Sequence, residues 1–411
     1  MIALRGVRVL DLTSLLPGPY ASLLLADMGA DVIKVESRLG DLMRQVPPMI
    51  ESRSAYYLSV NRNKRSIGVN MKSAGGREIL LDLARSSDVV LEGFRPGRAR
   101  RMKIDAASML AENPRLIYCS LSGFGQSGPD ANRAGHDLTY LARSGILGLN
   151  GTADSGPVIP PVQIADLAAG TTAALGICAA LFDRERSGEG RVLDISMLES
   201  IVPWMGTNMA AHQAGEESAR GALPLSGRYP FYNVYRTADA GYIALSALEP
   251  IFWRDLCRAI GRPDLAEKQF AGGDANQELG QELQRLFESR TAAEWGALFR
   301  EHDLSAEVVA DIDDVYADPH LRARGTLLTL RHPEEGVIIQ VGSPVREGGE
   351  TAEDRARRPV RLPPDLAADT RSVLRQVLDL DDAAIDNLLE SGAVFGPDEA
   401  APKRIAPETL P

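Results

Sequence analysis

The sequence predicts an α/β fold whose large domain is Rossmann-like, with a mostly parallel sheet. Two observations support this prediction. Short runs of apolar and β-branched residues recur between residues 7 and 120, and segments of helical length separate them. Strands interleaved with helices of this kind form βαβ units, which build parallel sheets. The predicted strands are 7–12, 30–36, 66–70, 88–92 and 116–120, and the predicted helices are 17–28 and 73–86.

The first predicted helix begins at Pro17-Gly18-Pro19, because proline is favoured at the first helical position. The ends of the strands indicate where a ligand would bind. Parallel sheets bind ligands beyond the carboxyl ends of their strands. A site is therefore expected in the segments that follow Glu36, Asn70, Glu92 and Ser120.

A smaller α+β domain is predicted over residues 229–320. Its strands 231–236 and 242–246 are joined by a turn-like segment typical of a hairpin. Helices are predicted at 250–260, 276–289 and 292–301. Residues 1–200 then form the first part of the large domain, 201–228 a linker, and 321–411 a return linker and the end of the large domain. This last part includes helices 369–380 and 382–391 and a frayed tail at 402–411.

Composition excludes several functional classes. The chain of 411 residues is 44% hydrophobic and 25% charged, as in an ordinary soluble globular protein. Its net charge of −11 argues against a nucleic-acid-binding protein. Cys119, Cys178 and Cys257 follow no metal-binding spacing and are expected to be buried thiols. No stretch is expected to span a membrane, and a cytoplasmic location is predicted.

Three residues are candidate proton carriers: His136, Asp166 and Glu249. Each also has a structural interpretation. Asp166 precedes a long helix of small apolar residues and could simply cap it, or it could act beside helix N–H groups that stabilise an oxyanion. His136 could be a structural hydrogen-bonding residue. Glu249 precedes Pro250, where a carboxylate is favoured at a helix N-terminus.

Two further patterns bear on nucleotide binding. Residues 123–128 match G-x-G-x-x-G, but Pro129 and Asp130 follow, so no helix begins there as dinucleotide binding requires. Basic residues cluster just past two predicted strand ends, where they could hold the phosphates of a nucleotide-like group. They are Arg62, Lys64, Arg65 and Lys72 in one group, and Arg95, Arg98, Arg100 and Arg101 in the other.

Taken together, these residues resemble the class III CoA-transferase (CaiB/BaiF) family, and within it the α-methylacyl-CoA racemase branch. The resemblance covers residues 1 to about 345 and, more weakly, continues to about 395. Its motifs are Leu16-Pro17-Gly18-Pro19, residues 29–36, residues 92–97, residues 122–125, Gly135-His136-Asp137, Asp166, residues 188–194 and Asp318-Pro319-His320. The racemase branch keeps His136 and Glu249, where transferases usually carry a glycine-rich loop in place of residues 247–250.

The resemblance implies that His136, supported by Glu249, and Asp166 are the paired bases. It places the CoA contacts at Arg38, Asn70, Met71, Lys72, Arg95, Arg101 and Asp137. No metal or redox cofactor is implied, since CoA enters as part of the acyl-CoA substrate. An interlocked homodimer is also implied, in which both ends of the chain form the large domain and Glu249 acts across the interface.

Three functional hypotheses follow. The first is a racemase or epimerase of 2-methyl-branched acyl-CoA thioesters, acting by 1,1-proton transfer. The second is a CoA-transferase in which Asp166 is a covalent nucleophile. The third is a non-catalytic dimer that binds acyl-CoA. Inversion beside a thioester carbonyl needs two proton carriers on opposite faces, because a single base tends to return the proton to the face it came from.

Overall fold

A computed structural model describes residues 3–399, so the tail predicted to fray at 402–411 lies outside the described residues. The strands are β1 Arg8–Leu12, β2 Asp31–Glu36, β3 Met49–Ile50, β4 Arg53–Ser54, β5 Lys64–Val69, β6 Val89–Glu92, β7 Ile117–Ser122, β8 Arg191–Ser196, β9 Tyr232–Arg236, β10 Tyr242–Ser246, β11 Ala306–Val308, β12 Leu327–His332, β13 Gly336–Val341 and β14 Val394–Phe395.

The α-helices alternate with these strands in the first part of the chain. They are α1 Pro17–Asp27, α2 Ala55–Val60, α3 Ala74–Arg85, α4 Arg98–Met102, α5 Ala106–Glu112, α6 Asp137–Ser144, α7 Ile146–Leu149, α8 Ile164–Ser187, α9 Met197–Ile201, α10 Gly206–Gln213, α11 Pro250–Ala259, α12 Asp274–Phe287, α13 Ala292–Glu301, α14 Ile312–Ala317, α15 Pro319–Ala323, α16 Ala352–Ala356, α17 Thr370–Leu378 and α18 Asp382–Glu390.

The main sheet has the strand order β14-β5-β2-β1-β6-β7-β8. Six of its seven strands are parallel, and β14 alone pairs antiparallel, with β5. The parallel strands follow the Rossmann order 3-2-1-4-5-6, in which the direction of strand succession reverses between β1 and β6. The predicted α/β class with a mostly parallel sheet is therefore confirmed.

Alternation along the strands gives the sheet two apolar faces. Leu10, Ile33 and Ile67 belong to a cluster that includes residues of α3, α5, α17 and α18. Val9 and Val32 belong to the cluster on the other face, with residues of α1 and α8. Both faces are covered by helices, as the pleat of a buried parallel sheet requires.

Several elements differ from the sequence-based prediction. β8 was not predicted, because its exposed and half-buried residues give a weaker apolar pattern than a central strand does. The β12–β13 hairpin and the short β14 were also not predicted. The predicted β9–β10 hairpin is confirmed, and β11 extends it to three strands.

The described chain divides into two compact units. Within the described residues, the larger comprises 3–144, 160–204 and 319–399, and the smaller comprises 145–159 and 205–318. The smaller unit is thus wider than the predicted 229–320, since it takes in most of the predicted linker and a separate segment from the first half of the chain. Its core gathers aromatic side chains of β9, α11, α12 and α13, such as Trp253, Phe287 and Trp295.

Helix α8 corrects one expectation. By length and composition it could cross a membrane, although no such stretch was expected. Its many alanines, with few charged residues, raise the average hydropathy without forming an obvious run of large apolar side chains. Half of its most apolar stretch of 18 residues is buried inside the protein. The helix packs on α1, β7 and β8. A buried core helix meets the same criterion as a membrane span.

Candidate active site

A cavity of about 790 Å³ lies at the carboxyl-terminal edge of the main sheet, in the larger unit. It is lined by residues that follow β1, β2, β5 and β6, next to the reversal of strand order. Ligands of doubly wound sheets bind at this position. Five predicted CoA contacts line it: Arg38, Asn70, Met71, Lys72 and Arg95.

Of the other arginines in the predicted phosphate-binding clusters, only some line this cavity. Arg98 also lines the cavity, with its guanidinium 5.5 Å from the ring centroid of Phe94, whereas Arg101 is exposed on α4 and is not among the lining residues. Arg38 pairs with Glu399 at 2.9 Å. Because an exposed ion pair contributes little, a phosphate could replace Glu399 at small cost.

A second cavity, of about 730 Å³, shares part of its wall with the first. Both are lined by Thr13, Ser14, Leu15, Gly93, Gly135 and His136. Asp166 lines the second cavity together with His136. The structure thus places two of the predicted proton carriers around one space, and His136 lies where that space meets the cavity with the cationic residues.

Asp166 lies in the first turn of α8 and is partly buried. Burial raises the pKa of its carboxyl group to about 7, and the negative charge of Asp137 acts in the same direction. Both effects disfavour the ionised carboxylate. Asp166 can therefore both accept and donate a proton near neutral pH, which is the property that general acid–base catalysis requires.

The helix start differs from the sequence-based interpretation. Helix α8 begins at Ile164, so Asp166 is inside the helix and does not cap it. The cap is Asp137, whose Oδ1 accepts hydrogen bonds from the backbone N–H groups of Ala165 at 2.6 Å and Asp166 at 3.2 Å. These two N–H groups are therefore already bonded, which argues against their predicted role in stabilising an oxyanion.

Asp137 consequently has a structural role in addition to the CoA contact that was predicted for it. It is absent from the residues that line either cavity, although His136 beside it lines both. A carboxylate near a helix N-terminus is favourable for the helix. It also fixes the start of α8, and hence the position of Asp166.

His136 is exposed and belongs to a loop that is fixed by its own backbone. The His136 N–H donates to Thr139 Oγ1 at 3.0 Å, and that hydroxyl donates to the His136 carbonyl at 2.7 Å. Among residues 3–399 the imidazole has no hydrogen-bond partner. This argues against the interpretation of His136 as a structural hydrogen-bonding side chain.

Two glycines allow these elements to approach closely. A Cβ at Gly170 of α8 would lie 2.6 Å from the Pro17 carbonyl oxygen, so only glycine lets α8 pack this closely on the start of α1. A Cβ at Gly135 would lie 2.7 Å from the ring of Tyr140. Glycine at residue 170 therefore brings α8, which carries Asp166, close to the start of α1, and glycine at residue 135 lets the chain before His136 pass against Tyr140.

Glu249 belongs to the smaller unit. It occupies the N-cap position of α11, with Pro250 as the first helical residue, as the sequence predicted. Its side chain is exposed and makes no capping hydrogen bond. The Glu249 carboxylate therefore does not cap α11 through a side-chain hydrogen bond.

A buried charge network lies beneath the loop that lines both cavities. Asp11, Lys34 and Lys64 are fully buried on the α1 face of the sheet, and Asp11 pairs in register with Lys34 on the neighbouring strand. Lys34 Nζ lies 2.8 Å from Asp41 Oδ2. Lys64 Nζ lies 3.6 Å from Asp11 Oδ2, and its pKa is lowered to about 7, chiefly by burial. Such groups need partners, because an unpaired buried charge is strongly destabilising.

The two lysines also hold the ends of the cavity-lining loop. Lys34 Nζ donates to the carbonyl of Thr13 at 3.0 Å, and Lys64 Nζ donates to the carbonyl of Pro19 at 2.9 Å. The prediction that Lys64 and Arg62 belong to a phosphate-binding cluster is therefore wrong. Both side chains are buried and paired within the protein, and of that group only Lys72 lines the cavity.

The model of CoA-transferase family III matches residues 4–369 of this sequence. The chain belongs to CoA-transferase family III. The resemblance inferred from the sequence motifs is thereby confirmed, including part of the weaker resemblance beyond residue 345.

Curated relatives of this family III chain carry two kinds of activity in their names. It is 34% identical over 401 residues to mouse succinyl-CoA:glutarate CoA-transferase, covering 96% of this chain and 91% of the relative. It is 37% identical over 336 residues to human alpha-methylacyl-CoA racemase, covering 80% of this chain and 83% of the relative. Membership of the family therefore leaves the transferase and racemase activities as two alternatives.

A solved structure of the family shows the same fold. The CaiB/BaiF family protein from Brucella suis aligns with a TM-score of 0.77 and 29% sequence identity, covering 91% of this chain and 99% of that one. The fold of the family III chain is therefore that of the solved CaiB/BaiF protein.

Sequence analysis missed the supporting residues of this family III site. The helix cap by Asp137 joins residues 28 and 29 positions apart, and no local pattern marks such a contact. The buried lysines carried a weak signal: Lys34 was placed only within the predicted strand 30–36, and Lys64 was wrongly assigned to a phosphate-binding cluster. Lys34 lies within a predicted strand, and Lys64 lies just before another. A charged side chain at such a position must be buried if both faces of the sheet are covered.

The Asp137→Asn substitution is expected to lower the pKa of Asp166, because it removes the neighbouring negative charge and keeps an oxygen that can accept the two backbone hydrogen bonds. The pKa should remain above the ordinary aspartate value, since burial is the larger cause of its elevation. Carbon-13 NMR titration of aspartate-labelled protein measures it, with Asp166→Asn providing the assignment. Asp130→Asn is the control, since Asp130 pairs with Arg143. An unchanged or higher Asp166 pKa would contradict the assigned charge effect.

Proposed function

We propose that this protein is a racemase or epimerase of 2-methyl-branched acyl-CoA thioesters that works by 1,1-proton transfer. The C–H bond at the 2-position breaks, the proton passes to one carrier, and the electron pair moves to the thioester oxygen as an enolate. The second carrier then returns a proton to the opposite face. As part of this proposal CoA enters with the substrate, no separate cofactor is needed, and the protein acts as a homodimer in the cytoplasm.

The observation that carries the proposal is the placement of His136 and Asp166 around one cavity. Two-base inversion needs two groups that exchange protons near the same pH. Asp166 meets this need because burial raises its pKa to about 7, so both its protonated and ionised forms are populated near neutral pH. A positioned acid or base typically contributes about 10²–10⁴-fold, so both groups are needed for a weakly acidic carbon.

The acyl group is inferred from the cavity that Asp166 lines. Its wall is formed largely by apolar side chains such as Leu16, Val46, Val60, Leu167 and Met197. No lysine or arginine is among the described residues that line it. A branched hydrocarbon chain suits this lining, whereas the free carboxylate of a dicarboxylic acyl group would be desolvated there without a cation.

The CoA portion is assigned to the adjoining cavity. Arg38, Lys72, Arg95 and Arg98 line it and supply positive charge in a protein of net charge −11. Guanidinium groups bind phosphate oxygens through pairs of hydrogen bonds. His136 stands where the two cavities meet, so a thioester that spans both would have its reacting carbon near the imidazole.

Solvent exchange tests the proposal. Incubation of the protein with 2-methylacyl-CoA in deuterated water, with no acceptor acid, is expected to place deuterium at the 2-position and to interconvert the two epimers. Mass spectrometry and chiral chromatography measure these outcomes. The Glu249→Gln variant is expected to lose most of this activity, whereas Glu288→Gln, another surface substitution in the same unit, should retain it. Absence of exchange and epimerisation in the unaltered protein would overturn the proposal.

A second candidate is a CoA-transferase in which Asp166 is the covalent nucleophile. The identity to the mouse succinyl-CoA:glutarate CoA-transferase, which covers 96% of this chain, favours it. Its weakness is electrostatic, because a nucleophilic carboxylate must be ionised and a pKa of about 7 leaves much of Asp166 protonated at neutral pH. CoA transfer to an added acid, together with a mass adduct on Asp166, would establish this alternative.

A further inference from the structure

A smaller cavity, of about 360 Å³, lies at the opposite edge of the main sheet from the candidate active site. It is lined by residues that precede the strands: Gly29 and Ala30 before β2, and Arg62 and Asn63 before β5. Residues 358–361 and Arg355 complete its wall. The cavity therefore lies at the amino-terminal ends of the strands, away from His136 and Asp166.

Most arginines of this cavity are neutralised by carboxylates. Arg62 Nε donates to Asp27 Oδ1 at 3.1 Å, Arg358 pairs with Glu350, and Arg361 pairs with Asp369. Asp27 also lines the cavity, and its Oδ1 accepts from Asn63 Nδ2 at 2.9 Å. Each of these carboxylates thus pairs with an arginine other than Arg355, although Glu350 Oε2 is buried without a hydrogen-bond partner.

Arg355 differs from these arginines. It is 6% exposed, and its hydrogen bond is a donation from a guanidinium nitrogen to the carbonyl oxygen of Ser343 at 2.7 Å. Within residues 3–399 no carboxylate lies at salt-bridge distance from it. A buried guanidinium without a counter-charge is unfavourable, and arginine cannot relieve the cost by losing its proton at neutral pH.

The surroundings of Arg355 increase this cost and leave space for its side chain. Burial lowers the pKa of Arg355, and the positive charges of Arg346 and Arg358 act in the same direction. Glu350 and Asp27 oppose them from beyond salt-bridge distance, while Glu350 Oε1 pairs with Arg358 and Asp27 pairs with Arg62. A Cβ at residue 342 would lie 2.8 Å from the Arg355 guanidinium, so Gly342 keeps room for that group beside the cavity.

We propose that this cavity binds a small oxyanion of the phosphate class, with the guanidinium of Arg355 as its principal ligand. A planar guanidinium presents paired N–H donors that match two oxygens of such an anion. The ligand is either free inorganic phosphate or the phosphate group of a small molecule, and both present the same oxygens. Binding would place anionic oxygens in contact with Arg355, which no carboxylate of residues 3–399 does.

Calorimetric titration with inorganic phosphate, at an ionic strength held constant with chloride, tests the proposal. The full-length protein is expected to bind phosphate saturably, and Arg355→Gln should weaken this binding at least tenfold. Arg357→Gln is the matched control, because Arg357 is an exposed neighbour that does not line the cavity. Phosphate that binds the cationic cavity of the candidate active site would bind the Arg355→Gln variant equally well, so persistence of all binding in that variant overturns the proposal.

Thermal unfolding gives a second and independent readout. Phosphate should raise the unfolding temperature of the unaltered protein, since a ligand that binds only the folded state stabilises it. The Arg355→Met variant should be at least as stable as the unaltered protein without phosphate and should show no phosphate-dependent rise. The proposal would be overturned if the Arg355→Met variant were markedly less stable than the unaltered protein in phosphate-free buffer. A change in the oligomeric mass of the variant, measured by sedimentation, would also overturn it. Either result would show that another protein group neutralises Arg355.

Discussion

Racemisation by the Asp166→Asn variant is expected to fall by about 10²–10⁴-fold, the usual contribution of a positioned general acid or base. Asparagine has nearly the same shape as aspartate but can neither accept nor return the proton. The Asp137 cap should persist, because it bonds to backbone N–H groups of Ala165 and Asp166 and not to the Asp166 side chain. CoA binding should therefore change by no more than a few-fold.

The measurement is epimer interconversion of 2-methylacyl-CoA, with CoA affinity determined separately by calorimetry. Asp183→Asn is the control, since Asp183 lies near the other end of α8 and pairs with Arg191. Racemisation within a few-fold of the unaltered protein would remove Asp166 from the chemistry. Loss of CoA binding in Asp166→Asn would instead show that the residue holds the site together.

Substitution of Lys34 by methionine is expected to lower the free energy of unfolding by about 3–5 kcal/mol, the usual cost of breaking a buried ion pair from one side. Burial alone would lower the pKa of Lys34, but attraction by Asp41 and Asp11 outweighs burial and the pKa is raised. Methionine fills a similar volume without the charge. It leaves Asp41 and Asp11 with less compensation and the carbonyl of Thr13 without its lysine donor.

Urea unfolding followed by far-ultraviolet circular dichroism measures this loss. Tryptophan fluorescence is less suitable, because the buried Trp253 and Trp295 report on the smaller unit, whereas Lys34 lies in the larger one. Arg85→Met is the matched control. Arg85 forms exposed ion pairs with Asp82 and Glu112, and its substitution should cost far less stability than that of Lys34, because exposed ion pairs contribute little. A Lys34→Met protein as stable as the control would show that the buried network contributes little.

The active-site loop gives the same substitution a functional consequence. Lys34 and Lys64 bond to the Thr13 and Pro19 carbonyls, and Thr13 lines both cavities. Any Lys34→Met protein that folds should therefore bind acyl-CoA more weakly. The buried network thus connects stability of the sheet to the shape of the site.

Sequence reasoning located the site well but not its supports. Four segments were predicted from strand ends; those after β2, β5 and β6 line the larger cavity, whereas of the residues directly after Ser120 only Leu121 is a lining residue, in the second cavity. Lys64 was misassigned because a basic residue at a strand start resembles a phosphate ligand until its burial is known. Asp166 was interpreted as a possible cap because the first residue of α8 could not be fixed from a run of small apolar residues.

The sequence by itself determined the alternation of strands and helices, the class of the sheet and the family, because these depend on residues close together in the chain. The tertiary structure decided which carboxylate caps α8, which lysines are buried, and that His136 and Asp166 line one cavity. Those features depend on distances between residues far apart in sequence. They also depend on burial, which raises the pKa of Asp166 and encloses the Arg355 guanidinium.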